Sequence, residues 1–175
     1  MNNAMTFLVA TIIDLYLIIV LLRVWMQLVK ADYYNPLSQF VVKATQPVIA
    51  PLRKLLPMAG RLDTASVALA LALGMLKITA LIWLNGYGLA ALPIIVQGVL
   101  TTISSLLSML FWILIIRAIL SWFSQGYNPM EAMLHQLTEP LLAPVRRVIP
   151  PIGGLDLSVL IVIIALQFLR VLIGV

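Results

Sequence analysis

The sequence predicts an all-α membrane protein. Four transmembrane helices form two parallel tandem repeats, each with short amphipathic or re-entrant helices on the cytoplasmic side between its two spans. Three observations predict it. First, 63% of the 175 residues are hydrophobic and 10% charged, where a soluble domain carries roughly 25% charged residues. Apolar stretches of about 20 residues recur, enough to cross a hydrocarbon core of about 30 Å. Second, residues 35–63 are written again at 128–156, at a constant offset of 93 with 11 of 29 positions identical. Prolines Pro36, Pro47, Pro51 and Pro57 are matched by Pro129, Pro140, Pro144 and Pro150, and a fixed internal period marks a repeat architecture. Third, Arg23 to Arg61 holds six Lys or Arg, and Arg117, Arg146 and Arg147 add three, whereas the turn from Asn85 to Pro93 has none. The positive-inside rule then puts both connectors in the cytoplasm and both termini outside.

The elements follow in order. The first repeat covers 1–90, with spans at about 5–26 and 65–84 and a connector over 30–63; the second covers 91–175, with spans at about 101–123 and 157–174 and a connector over 124–156. The first apolar run lacks a basic start and a small-residue cleavage site and holds Asp14, so it reads as a retained span rather than a signal peptide. Asn35-Pro36 and Asn128-Pro129 start the connector helices, because Asn accepts from orphan amides and Pro fits the first turn. Leu37, Phe40, Val41 and Ala44 fall on one face, repeated by Met130, Met133, Leu134 and Leu137. About eleven such residues make an interfacial or re-entrant helix, too short to span. Pro47 and Pro140 are expected to end it, since two prolines four apart each remove a donor and clash with the turn before. Pro51 and Pro144 then open a second short helix that Pro57 and Pro150 stop. Asp63 and Asp156 are expected to cap the spans that follow. Residues 89–100 either extend a span or lie at the interface.

Ionisable residues inside spans are expensive and mark candidate sites. Asp14 lies about 13 Å from the outer end of the first span and Lys77 about 18 Å from the inner end of the second, so their depths are close. Lys77 plus the repeat offset of 93 is Arg170, whereas the position matching Asp14, at the offset of 94 that relates Arg23 to Arg117, is Ser108. Asp14, Lys77 and Arg170 therefore allow two readings: an ion or proton site, or a buried Asp14–Lys77 bridge with Arg170 reaching to the outer surface. Arg53-Lys54 and Arg146-Arg147 make a basic patch for anionic lipids or a protein partner, each cation contributing roughly 1 kcal/mol at an anionic leaflet; they also read as topology determinants. Trp25, Trp83 and Trp122 near span ends read as an aromatic belt. Ser104, Ser105 and Ser108, and the small faces Ala68, Ala70, Ala72 and Gly74, suit close helix packing, the latter as a surface for a homo-oligomer.

Several classes are excluded. With no cysteine there is no disulfide, thiolate metal site, thioether haem or cysteine nucleophile. His135 is the sole histidine, a poor metal ligand without neighbouring carboxylates. The excess of 11 basic over 6 acidic residues reads as topology rather than nucleic-acid binding. No nucleophile with its base, carboxylate pair, phosphate loop or metal cluster stands out, so neither an enzyme nor a cofactor is expected.

The doubled pattern Asn-Pro, eleven residues, Pro-x-x-x-Pro-x-Arg-[Lys/Arg]-x-x-Pro, then Gly-x-Leu-Asp resembles the YggT/YlmG family of small membrane proteins, in its two-copy bacterial form. Arg23-Val24-Trp25 and Arg117 through Ser121-Trp122 fit the same pattern. The resemblance covers nearly the whole chain. It implies a bacterial inner-membrane protein associated with osmotic or envelope stress and ion homeostasis; single-copy relatives are linked to cell division and nucleoid organisation, chloroplast ones to cytochrome assembly. It implies no catalytic residues. The expected function is a non-enzymatic factor of envelope or osmotic-stress adaptation or membrane-protein assembly, with the connectors as a lipid or partner platform. The alternative is a small potassium or proton transporter or channel subunit working through Asp14, Lys77 and Arg170.

Overall fold

The computed structural model describes residues 3–56, 60, 62–86, 88–123, 128–149 and 156–174. Six helices appear in order, α1 (Asn3–Leu28), α2 (Pro36–Leu55), α3 (Thr64–Leu84), α4 (Ala91–Phe123), α5 (Pro129–Val148) and α6 (Leu157–Ile173), with no strand among the described residues. Three of them are long and apolar enough to cross a membrane: Ala4–Leu28, Thr64–Leu84 and Ala91–Ser121. At 1.5 Å per residue α4 is about 50 Å long, which settles residues 91–100 as its first turns. α6, an apolar helix of 17 residues, is shorter at about 26 Å.

α4 packs on α3, α6, α5 and α1, and α1 on α3 and α2. Leu17, Val20 and Leu21 of α1, Leu69 and Ala70 of α3, Met109, Ile113 and Leu114 of α4, and Val162 and Leu166 of α6 form the core with the buried faces of α2 and α5. The tightest crossing joins α3 to α4. A Cβ on Gly74 would fall 2.5 Å from the Gly98 carbonyl oxygen, and one on Gly98 would fall 2.8 Å from Met75 Cα. Thr102 Oγ1 reaches across the same crossing to the Ala70 carbonyl at 3.4 Å while donating to the Gly98 carbonyl of its own helix at 2.8 Å. Ala70 and Gly74 are therefore spent inside the chain rather than offered to a second copy, whereas Ala72 stays exposed.

The connectors differ from expectation in two respects, their prolines and the place of Phe40. Each is a single 20-residue helix running straight through both of its prolines, Pro47 and Pro51 in α2, Pro140 and Pro144 in α5. Prolines four apart share one helical face, and here that face is exposed in both helices. The carbonyls they free, those of Lys43, Pro47, Gln136 and Pro140, belong to exposed residues as well. They can be solvated, so the usual penalty of an interior proline is softened. The helices start as the Asn-Pro pairs direct: Asn35 Oδ1 accepts from the Leu37 amide at 3.0 Å and Asn128 Oδ1 from the Met130 amide at 2.9 Å. They end at Leu55 and Val148, two residues before Pro57 and Pro150, which lie outside the described residues. The packed face of α2 is Ser38, Val41, Thr45 and Ile49, so Phe40, 58% exposed, is not on it. Its counterpart Met133 is buried.

Candidate functional site

Each connector helix is bolted to its neighbours at two points. At the first, an arginine from a long helix reaches a connector threonine. Arg23, almost fully buried, donates to Thr45 Oγ1 at 2.7 Å, to Gln46 Oε1 at 2.9 Å and to the Val42 carbonyl at 3.4 Å. Arg117 likewise donates to Thr138 Oγ1, and each threonine passes its own hydrogen to a carbonyl one turn back, Val41 or Leu134. At the second point the arginine lies in the last turn of the connector and the acceptor at the start of the next helix. Arg53 Nε and Nη2 lie 3.0 and 2.5 Å from Asp63 Oδ2, and Arg146 Nε and Nη2 lie 2.9 and 2.6 Å from Asp156 Oδ2.

The charged ends of these latches differ. Asp63 is buried and also accepts from Ser66 Oγ at 2.7 Å, with no side-chain bond to a helix amide. It is therefore a counter-ion rather than the cap its position suggested. Asp156 is both: it accepts from the Ser158 amide at 3.0 Å and holds Arg146. Burial pushes the Asp63 carboxyl up, but the bonds from Arg53 and Ser66 and the Arg53 charge outweigh it and hold the group below the ordinary carboxylate range. Asp156 is likewise held low: burial opposes, and Ser158 and Arg146 prevail. The bonds to these carboxylates keep Arg53 and Arg146 firmly charged. In the second copy Glu139, standing where the first has Gln46, adds bonds of 3.0 and 3.1 Å to Arg146, and His135 Nε2 lies 3.4 Å from it. Among the described residues no group of three or more acids and histidines is placed to hold a metal ion.

The two connectors are also stitched to each other. Trp25 Nε1 donates to the Leu137 carbonyl, the Asp32 amide to Gln136 Oε1 and Asn35 Nδ2 to the Pro129 carbonyl, each at 2.8 Å. Ser38 Oγ, 3.7 Å from Met133 Sδ, closes the seam. Trp25 is thus a cross-strut as well as a residue near a helix end; Trp83 is 70% exposed, and the Trp122 side chain lies outside the described residues. The arginine–threonine latches were missed in the sequence, although Thr45 and Thr138 are among the identities and Arg23 and Arg117 stand at matched places before them.

Away from the connectors, Lys77 Nζ lies 2.7 Å from both carboxylate oxygens of Asp14. The pair borders a cavity of about 410 Å³ between α1, α3 and α4, whose remaining polar walls are Thr101, Ser104, Ser105 and Ser108. Arg170 is not in that wall; it sits in the last turn of α6 with its Nε buried and unbonded among the described residues. The structure therefore brings two of the three intramembrane charges together and replaces the third with hydroxyls.

Long apolar helices held on one side by paired, amphipathic, arginine-latched connectors define an all-helical membrane protein. The chain belongs to the CCB3/YggT family, whose model matches it over residues 2–84 and again over 96–175. It is 52% identical to an uncharacterised protein of the proC 3′ region in Vibrio alginolyticus, over 98% of this chain and 94% of that one. It is 44% identical to the uncharacterised protein YggT of Escherichia coli strain K12, over 96% and 88%. No solved structure matches the chain.

Proposed function

We propose that the protein is a non-enzymatic factor of the bacterial inner membrane that uses its paired connectors as a cytoplasmic-side platform for anionic lipids or a membrane partner, in envelope or osmotic-stress adaptation or membrane-protein assembly. The four-span, two-repeat arrangement is part of that proposal. α6 would span with modest bilayer thinning and Arg170 reaching to the headgroups, and the matched latches of α2 and α5 support two parallel copies. The observation that carries the proposal is what the latches leave over. Arg53 and Arg146 are committed to Asp63 and Asp156, but Lys43, Lys54 and Arg147 are exposed and have no ion-pair partner among the described residues. They share their helices with exposed Phe40, Leu55 and Val148, the mixture that lies at a headgroup boundary. A groove of about 550 Å³ along α2, walled by Tyr33, Val42, Gln46 and Pro47 with Lys43 among its lining residues, adds room for an acyl chain.

The working surface is thereby narrowed, and so is its test. Replacing Arg53 or Arg146 would break a latch and confound binding with folding. Lys43→Gln, Lys54→Gln and Arg147→Gln together leave the latches whole. The triple variant is expected to keep its melting temperature but to lose about 3 kcal/mol of attraction to an anionic surface, roughly 1 kcal/mol per cation. Retention of phosphatidylglycerol in native mass spectrometry reads this. Unchanged retention, with partner crosslinks and stress survival also unchanged, would sink the platform.

The Asp14–Lys77 cavity favours a second reading, a small potassium or proton transporter or channel subunit. On that reading Asp14→Asn abolishes flux in liposomes while the protein stays folded and inserted. A folded wild type that passes neither ion would remove it.

A further inference from the structure

Two properties of the Asp14–Lys77 cavity specify what it suits. Its charged lining is one acid and one base, already paired, so the empty site is neutral. Its opposite wall is a row of hydroxyls from one face of α4, Thr101, Ser104, Ser105 and Ser108, at the i, i+3, i+4, i+7 spacing that aligns side chains on a helix. None of these four hydroxyls is hydrogen-bonded within the described residues. Asp14 and Lys77 remain 36% and 19% exposed, so a molecule entering the cavity reaches both.

A bare ion fits this arrangement poorly. Bound among apolar helices, it would leave one unit of charge uncompensated where the medium screens weakly. A ligand bearing both charges does not. Its ammonium replaces Lys77 against Asp14, its anionic group takes Lys77 and the α4 hydroxyls, and one ion pair becomes two with the cavity still neutral. A primary ammonium matches the Lys77 group it replaces, from which Asp14 now accepts through both oxygens, whereas a quaternary head has no N–H to offer. A volume of about 410 Å³ is at the lower end of small-molecule sites.

We infer that this cavity binds a small zwitterion carrying a primary ammonium and a carboxylate or phosphate. The inference rests on taking the cavity as a functional site, as the transport reading does, but replaces the bare ion with a net-neutral ligand. The same chemistry comes from a free amino acid or from the headgroup of an ethanolamine phospholipid, and the test separates them.

The full-length protein in nanodiscs of phosphatidylcholine and phosphatidylglycerol is titrated calorimetrically with β-alanine, then with ethylamine and acetate, which carry one charge each. In a parallel arm, native mass spectrometry scores retention of phosphatidylethanolamine against phosphatidylcholine. Saturable β-alanine binding, at least tenfold tighter than either half-ligand and reduced at least tenfold by Asp14→Asn or Lys77→Gln, is the expected result for a free solute. Selective retention of the ethanolamine lipid, lost in the same variants, assigns the site to a headgroup. If the single variants do not fold, the exchanged double variant Asp14→Lys, Lys77→Asp keeps the ion pair and is expected to keep binding. Half-ligands that bind as well as β-alanine, or a folded wild type that takes neither ligand, overturn the inference. Asp14-dependent potassium flux without zwitterion binding would do so too while leaving the transport reading standing, and binding without flux would separate the two the other way.

Discussion

Gly98→Ala is expected to destabilise the protein by about 3 kcal/mol, the upper part of the range for overpacking a close contact. The new methyl would lie 2.6 Å from Met75 Cγ, which can swing aside, but also 2.8 and 2.9 Å from Met75 Cα and N, which cannot. Relief has to come from moving α3 away from α4 as a body. That separation also pulls on the bond from Thr102 Oγ1 to the Ala70 carbonyl. Helix propensity works the other way, since alanine is favoured over glycine by about 1 kcal/mol in a helix interior. The steric term is larger, so the sign is a loss. The damage spreads to the cavity, because Lys77 is three residues from Gly74 and Thr101 three from Gly98. Gly88→Ala is the control, a position where an added Cβ meets nothing within 4 Å. Thermal unfolding in detergent reads both. If Gly98→Ala melted with the wild type and Gly88→Ala, α3 and α4 would not cross this closely.

That crossing shows where sequence reasoning stops. The small residues of α3 are plain in the sequence, and small residues do mean close approach, but their spacing does not say to what. Ala70 and Gly74 read equally well as an oligomer face until Gly98, 24 residues later, is seen opposite. The helical, membrane-embedded class was legible from composition alone, because water cannot hold so apolar a chain. The connector starts were legible because an Asn-Pro pair acts through bonds to its own next residues. The prolines misled, since the penalty for Pro47 and Pro51 depends on whether the carbonyls they free face solvent, which is a tertiary fact. Phe40 misled similarly: its spacing put it with Val41, but the neighbouring elements contact Ser38 and Thr45 instead. The latches are long-range polar pairs with no local signature beyond Arg53, Asp63, Arg146 and Asp156 recurring at one offset.

Those latches carry the second large effect. Asp63→Asn is expected to cost about 3 kcal/mol, the lower end of what breaking a buried pair costs; Asp156→Asn, about 1 kcal/mol or less, as for exposed pairs. The asymmetry follows from surroundings. The Asp63 side chain is fully buried, whereas that of Asp156 is 34% exposed and Arg146 keeps Glu139 as a second partner. Neutralising Asp63 leaves the Arg53 charge without its partner and withdraws a carboxylate whose charge acts on buried Arg23. The pH dependence has a definite sign. Asp63 is held below its ordinary value of about 3.9, so the unfolded chain takes up the proton first on acidification. The contribution of Asp63 is complete above about pH 4 and is lost as pH falls through the lower folded value. The raised value of Arg53 matters only in strong alkali, since an arginine keeps its charge far above neutrality even in the unfolded chain. Wild-type melting temperature should therefore fall below about pH 4 with a component that Asp63→Asn lacks, while Asp156→Asn retains it. Parallel acid limbs in the wild type and Asp63→Asn would show that the Arg53–Asp63 bond does not hold α2 to α3.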